Sequence, residues 1–121
     1  MRLLPVLLLA SACAASSPGE ADLSRELAGL EPGPPEECVS ASPGANLTAR
    51  DSRTLVLSQG GTVRVNRLAA ACPGLRATSM LVIEPRDGGR YCRGDRFRAV
   101  EVSGGIPGPY CILGDFTPYR R

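Results

Sequence analysis

A chain of 121 residues has room for one domain. It holds no histidine and no lysine, so Ser–His and Cys–His nucleophile pairs and lysine-activated hydroxyls are excluded. A formal net charge of +2, carried by 14 arginines against 12 acids, comes with only 3 tyrosines and 2 phenylalanines. That leaves nothing like the interleaved basic and aromatic pattern of a nucleic-acid binder.

The first residues read as an export signal. Met1-Arg2 is a short positive region, Leu3 to Ala10 an apolar run, and Ser11-Ala12 supplies small residues for cleavage, giving a signal peptide over 1–12. The apolar run is well short of the ~20 residues that a spanning helix needs, and no later stretch approaches that length. Leu9-Ala10-Ser11-Ala12-Cys13 resembles the bacterial lipobox, in which the cysteine becomes N-terminal and lipidated. Ordinary cleavage after Ala12 or Ala14, with Cys13 lost or left as a stray thiol, is the alternative. Five cysteines in an exported chain leave one odd, and a lipid on Cys13 leaves four to pair. The expectation is a periplasmic lipoprotein whose only hold on the membrane is its lipid anchor.

Residues 13–37 read as an acidic, Pro/Gly-rich tether. Ser17-Pro18-Gly19-Glu20 has capping-box spacing, and Leu23, Leu27 and Leu30 follow at helical intervals, so a short helix over 18–28 is a candidate. Gly29 and Glu31-Pro-Gly-Pro-Pro end it. From Ala14 to Glu37 six acids face one arginine, whereas from Cys38 onward twelve arginines face six acids. The basic part suggests a surface for anionic envelope components, lipid headgroups or cell-wall polymer, with Arg64, Arg67, Arg93, Arg96 and Arg98 as the candidate contacts.

The folded domain is expected over 38–121. A weak strand spans Ala45 to Ala49, and a hairpin joins Arg53–Ser58 to Thr62–Asn66 through Gln59-Gly60-Gly61. In its second arm Val63 and Val65 face one way, Arg64 and Asn66 the other. Leu68 to Ala71 reads as one helical turn before Cys72-Pro-Gly. Met80 to Ile83 is a continuous apolar run, expected as a central strand buried on both faces. In Arg96 to Val102 the apolar parity changes, which predicts a bulge near Ala99–Val100. After the loop Gly104 to Pro109, Tyr110 to Phe116 is the last strand. Five to six short antiparallel strands with Gly/Pro turns make an all-β domain, a small disulfide-stapled barrel or sandwich.

Cys38, Cys72, Cys92 and Cys111 lack the close spacing of zinc ligands, so no metal or other cofactor is expected, and an oxidising compartment makes two disulfides the default. Three connectivities exist. The expected one is Cys72–Cys92, closing a local loop, with Cys38–Cys111 tying the ends, worth about 3 and about 4.5 kcal/mol in the chain-entropy model. A core this small is marginal without them.

The order Cys38-Val, Asp51-x-Arg-Thr-Leu-Val-Leu, Asn66-Arg-Leu, Cys72-Pro-Gly-Leu-Arg, Cys92-x-Gly-Asp and Cys111-x-Leu-Gly-x-Phe-x-Pro resembles a family of small, exported, four-cysteine proteobacterial proteins known only as a domain of unknown function. The resemblance spans roughly Cys38 to Pro118. It implies export and four cysteines, and no activity.

Catalysis has few candidates. Asp51, Asp95 and Asp115 stand beside turns, where aspartate caps backbone amides. Convergence of Asp51 and Asp95 would suit a small hydrolase or an inhibitor-like domain. Arg93-Gly94-Asp95 matches an integrin-type tripeptide but directly follows a cysteine and reads as a turn. The glycine pairs lack a P-loop lysine. The function expected from sequence is therefore a non-enzymatic binding or structural module of the cell envelope.

Overall fold

The computed structural model describes residues 18–41 and 46–121. The expected signal peptide, Cys13 and the Ala45 start of the expected weak strand lie outside them. The described chain is all-β with one short helix. In order it runs α1 (Pro18–Glu26), β1 (Glu31–Pro32), β2 (Cys38–Ser40), β3 (Asn46–Ala49), β4 (Thr54–Gln59) and β5 (Thr62–Arg67). It continues with β6 (Met80–Glu84), β7 (Arg90–Cys92), β8 (Arg96–Val100), β9 (Tyr110–Ile112) and β10 (Phe116–Arg120). Ten short strands replace the five or six expected. They form a five-stranded sheet, β1-β10-β5-β4-β3, a three-stranded sheet, β6-β8-β9, and the ribbon β2-β7, all antiparallel and open, not a closed barrel.

The β4–β5 hairpin forms as its sequence dictates. Its two-residue turn, Gly60-Gly61, has φ of 55° and 80°, left-handed values that suit the twist of the flanking strands and that only glycine adopts without cost. Alternation along the hairpin then builds two interiors. Leu55 and Leu57, with Leu47 and Ala49 of β3, point to Phe97, Ala99 and Cys111 of the three-stranded sheet and to Phe116 of β10. On the opposite face Val56, Val63 and Val65 with Tyr119 meet Leu23 and Leu27. The layers are therefore helix, five-stranded sheet and three-stranded sheet.

The placement of α1 corrects the reading of 13–37 as a tether, for the part described. Leu23 is buried against the sheet. Gly33 donates to the Pro118 carbonyl, and Glu36 and Phe116 exchange both backbone bonds, so the segment is sheet structure and not a spacer. The physical reason is the valine face of β4 and β5, an apolar surface that a nine-residue amphipathic helix covers. The charge split has the same origin. Glu20 pairs with Arg67 at 2.8 Å, Glu26 with Arg50 at 2.7 Å, Glu36 with Arg64 at 3.1 Å and Glu37 with Arg93 at 3.7 Å.

Four further expectations are corrected. Met80–Ile83 is not central: β6 is an edge strand with Leu81 and Ile83 turned to the core and Met80 and Val82 to the outside. No bulge interrupts Ala99–Val100, because β8 keeps regular register with β6 and stops at Val100, leaving Val102 in a turn. The last strand is broken at Leu113–Asp115 into β9 and β10, which belong to different sheets. Leu68 to Ala71 forms no helical turn; Arg53 donates to the carbonyls of Leu68 and Ala69 and holds the segment open.

The break at Leu113–Asp115 has a clamp. Asn66, fully buried, accepts from the Gly114 N–H at 2.8 Å and donates to the Gly114 carbonyl at 2.7 Å. A β-carbon on Gly114 would collide with the Arg67 carbonyl oxygen, so the chain crosses there only because the side chain is absent.

The cysteine pairing also differs from the one expected: the bonds are Cys38–Cys92 and Cys72–Cys111. β2 pairs with β7 in a register that sets Cys38 opposite Cys92, so those two close across the ribbon. Cys72, on the crossover from one sheet to the other, meets Cys111 on the inner face of β9. Two disulfides fit an oxidising, extracytoplasmic environment. Among the described residues no helix is long and apolar enough to cross a membrane.

Candidate functional site

The inner face of β6-β8-β9 is committed to the core; its outer face is where side chains of several chemistries come together. Register sets them in columns: Met80 beside Val100, then Val82–Arg98–Tyr110, then Glu84–Arg96–Ile112. Arg96 and Arg98, two residues apart on one strand, both stack on the Tyr110 ring, with guanidinium carbons 4.6 and 4.7 Å from its centroid. Glu84 closes the arrangement, accepting from Arg96 Nη2 at 2.8 Å and from the Tyr110 hydroxyl at 3.0 Å. Arg98 donates Nε to the Gly108 carbonyl at 2.9 Å, which leaves its terminal nitrogens for an anion.

Apolar exposure concentrates in the same place. The exposed large hydrophobic side chains among the described residues are Met80, Val82, Val102, Ile106, Tyr110 and Ile112, every one on this sheet or on the loop joining β8 to β9. In that loop Val102 is 70% and Ile106 96% exposed. Nothing in the described fold covers them, and such clustering marks an interaction surface more than it marks chance. Behind the free edge of β9 lies a groove of about 510 Å³ whose walls include Ala69, Ala71, Pro73 and Pro109.

No family model matches the chain. No curated protein and no solved structure matches it either. What the site can do is therefore read from its own residues.

Of the five arginines named from sequence, the structure brings two together. Arg64 is taken up by Glu36 and Gln59, Arg67 by Glu20 and Thr54, and Arg93 by Asp115 and Glu37. These three lie elsewhere in the fold, which removes them from a common basic face; Arg96 is paired too, with Glu84, but on the same face as Arg98. Tyr110 and the apolar loop were not among the sequence candidates. For Tyr110 a signal was available in the shared parity of Arg96-x-Arg98 and Tyr110-x-Ile112; the continuous apolar run Met80 to Ile83 and the loop carried none.

The aspartates do not assemble a catalytic pair. Asp51 accepts from the Arg53 N–H at 2.8 Å and lines a cleft of about 460 Å³ whose other carboxylate is Glu20, already paired with Arg67. Asp95 is not part of that cleft. It is 0% exposed and bound by the Cys92 N–H at 2.8 Å and by Arg86 Nε at 2.9 Å. Burial acts to raise its pKa, but the hydrogen bonds from the Arg86 side chain and from the Cys92 and Arg86 amides, with the Arg86 charge, outweigh it and hold the carboxyl below its ordinary value. Asp95 is the knot of its own turn. Closed off in this way, it cannot serve the Arg93-Gly94-Asp95 tripeptide as a recognition acid.

Proposed function

We propose that this chain is a non-enzymatic binding module of the exported compartment, which contacts an anionic partner in the cell envelope through the outer face of β6-β8-β9. The observation that carries the reading is the Arg96–Tyr110–Arg98 stack set among the exposed apolar side chains of the described fold. Stacked guanidiniums on a rigid strand are pre-ordered for phosphate or carboxylate, and the ring limits the side-chain entropy lost on binding. The resemblance to exported four-cysteine proteins over Cys38 to Pro118 belongs to the same proposal.

The test is retention on phosphatidylglycerol vesicles, peptidoglycan and polyglutamate, with neutral supports subtracted. The wild-type chain is expected to stay on at least one of them at low salt and to be released as salt rises, as screening demands. The double variant Arg96→Glu/Arg98→Glu is expected to lose that retention while melting within a few degrees of wild type. Retention on none, or retention indifferent to the double reversal, ends the proposal.

Lipidation of Cys13 is part of the same reading, since four paired cysteines leave Cys13 as the odd one. Non-reducing mass spectrometry of the exported protein is expected to find Cys13 N-terminal with an acyl mass. An unmodified N-terminus beyond Cys13 would remove the anchor and leave the binding face untouched.

A further inference from the structure

We infer that the anionic partner is a lipid bilayer, and that the loop of residues 101–109 enters it with Val102 and Ile106 at the acyl boundary and Arg96 and Arg98 at the headgroup phosphates. The inference rests on the binding reading above and narrows its partner to one source.

The argument starts from the loop's shape. Gly104 and Gly105 take φ of 88° and 127°, and with Gly108, Pro107 and Pro109 they leave the two aliphatic residues as the main side-chain mass of the loop beyond Glu101 at its root. Gly104 N–H closes on the Glu101 carbonyl and Gly108 N–H on the Ala99 carbonyl, so the base is fixed while the tip carries Ile106 clear of the protein. A bare isoleucine on a convex tip gains little from a flat protein surface or from a sugar polymer, neither of which offers it an apolar volume. A bilayer offers an apolar phase directly beneath a layer of phosphates.

Next to the loop the face continues in the same order, with exposed Val82 and Ile112 standing in the Arg98 and Arg96 columns. Met80 and Val100 lie at the end of the sheet from which the loop leaves, Tyr110 starts the strand to which it returns, and Arg98 comes next in register. Tyrosine and arginine with apolar bodies and polar ends suit the boundary between acyl chain and water. The charge complementary to anionic headgroups is that of Arg98, whose terminal nitrogens make no hydrogen bond among the described residues; Arg96 adds its remaining N–H groups while paired with Glu84. Glu84 is spent on Arg96 and Tyr110. Two acids share this face: Glu101, exposed at the root of the loop, and Glu84, which stands beside Arg96 and is paired with it.

The chain contains no tryptophan, so Ile106→Trp introduces a single reporter at a position that packs against nothing. With phosphatidylcholine vesicles containing phosphatidylglycerol, its emission is expected to shift to the blue and to be quenched by lipids brominated on the acyl chain. Because the reporter sits in the loop, an N-terminal anchor does not produce this signal. In the otherwise native chain, Ile106→Asp and Val102→Asp are each expected to weaken the salt-sensitive vesicle binding by about tenfold or more, the range for withdrawing one aliphatic side chain from an apolar phase, with unchanged melting temperature. Glu101→Gln is expected to strengthen it.

A reporter that stays water-exposed while the arginine-dependent retention persists overturns the inference and leaves the binding face standing. Retention on peptidoglycan or polyglutamate but not on vesicles does the same. Concentration-dependent self-association that Ile106→Asp abolishes would make the face a dimer contact and overturn it too. Retention on no anionic support removes inference and binding reading together.

Discussion

Replacing Cys72 and Cys111 together by alanine is expected to cost about 4 kcal/mol, the chain-entropy value for a loop closed over a separation of 39 residues. For a domain of this size that lowers the melting temperature by on the order of 15 °C or more. The entropy model ranks Cys38–Cys92, with its separation of 54, slightly higher, so loop length alone predicts two nearly equal bonds. Packing separates them. Cys72 and Cys111 belong to the main apolar cluster with Phe97, Leu113 and Phe116, and their bond joins the crossover after β5 to the inner face of β9. Deleting it removes buried sulfur as well as the constraint, and the cavity adds to the loss. Cys38–Cys92 staples the two-stranded ribbon, whose Val39 and Tyr91 reach the main cluster but whose cysteines are not part of it, so its loss leaves a smaller gap in the core. Thermal and urea unfolding of the two double variants tests this order. A Cys72/Cys111 variant losing less than about 1 kcal/mol, or one more stable than its Cys38/Cys92 counterpart, would show that sheet packing alone holds the layers.

How far the chain could be read before folding depended on whether the deciding contact was local. The β4–β5 hairpin was legible because Gly60-Gly61 and the alternation of Val63 and Val65 sit within a dozen residues of one another. The start of α1 was legible from Pro18 and the leucine spacing. Connectivity was not, since the partner of Cys92 was chosen by β2 pairing with β7, a contact across 54 residues that no local pattern announces. The acidic segment misled for the same reason: read alone, Glu20, Glu26, Glu36 and Glu37 spell a solvated spacer, and only their arginine partners turn them into a docked strap.

The candidate site was half visible. Composition points to Arg96 and Arg98 but equally to Arg64, Arg67 and Arg93, because it counts charges without saying which of them one sheet face brings together. The apolar run Met80 to Ile83 taken alone spells a strand buried on both faces. Its edge position follows from β8 pairing with β9 on its other side, and that places Met80 and Val82 among the exposed side chains that make the face.

Asp95→Asn is expected to destabilise the fold by about 2–3 kcal/mol near neutral pH, the usual value for hydrogen bonds to a buried charge. The carboxylate is closed off while Arg86, its charged partner, is 68% exposed, so attraction between the two is screened and contributes least. The hydrogen bonds matter more, first that from Arg86 Nε and then those from the amides. The N–H of Cys92 points into Asp95 Oδ2, and that of Arg86 into Oδ1, fixing the turn between β7 and β8 from which both Cys92 and the Arg96 strand depart. An amide side chain accepts with one end only and turns its own N–H groups toward donors, leaving a buried N–H unmet. The pH dependence follows from the sign of the shift. The folded carboxyl titrates below its unfolded value near 3.8, so its contribution is complete above that value and is lost as pH falls through the lower folded one. Urea denaturation of both proteins from pH 7 down to about pH 3 should therefore show a gap that is constant to roughly pH 5 and then narrows as wild type alone takes up the proton. A gap that stays constant to the acid limit would mean that the carboxylate's charge is not what holds the turn. The loss would then be steric, and the strand that carries Arg96 and Arg98 would keep its place in acid.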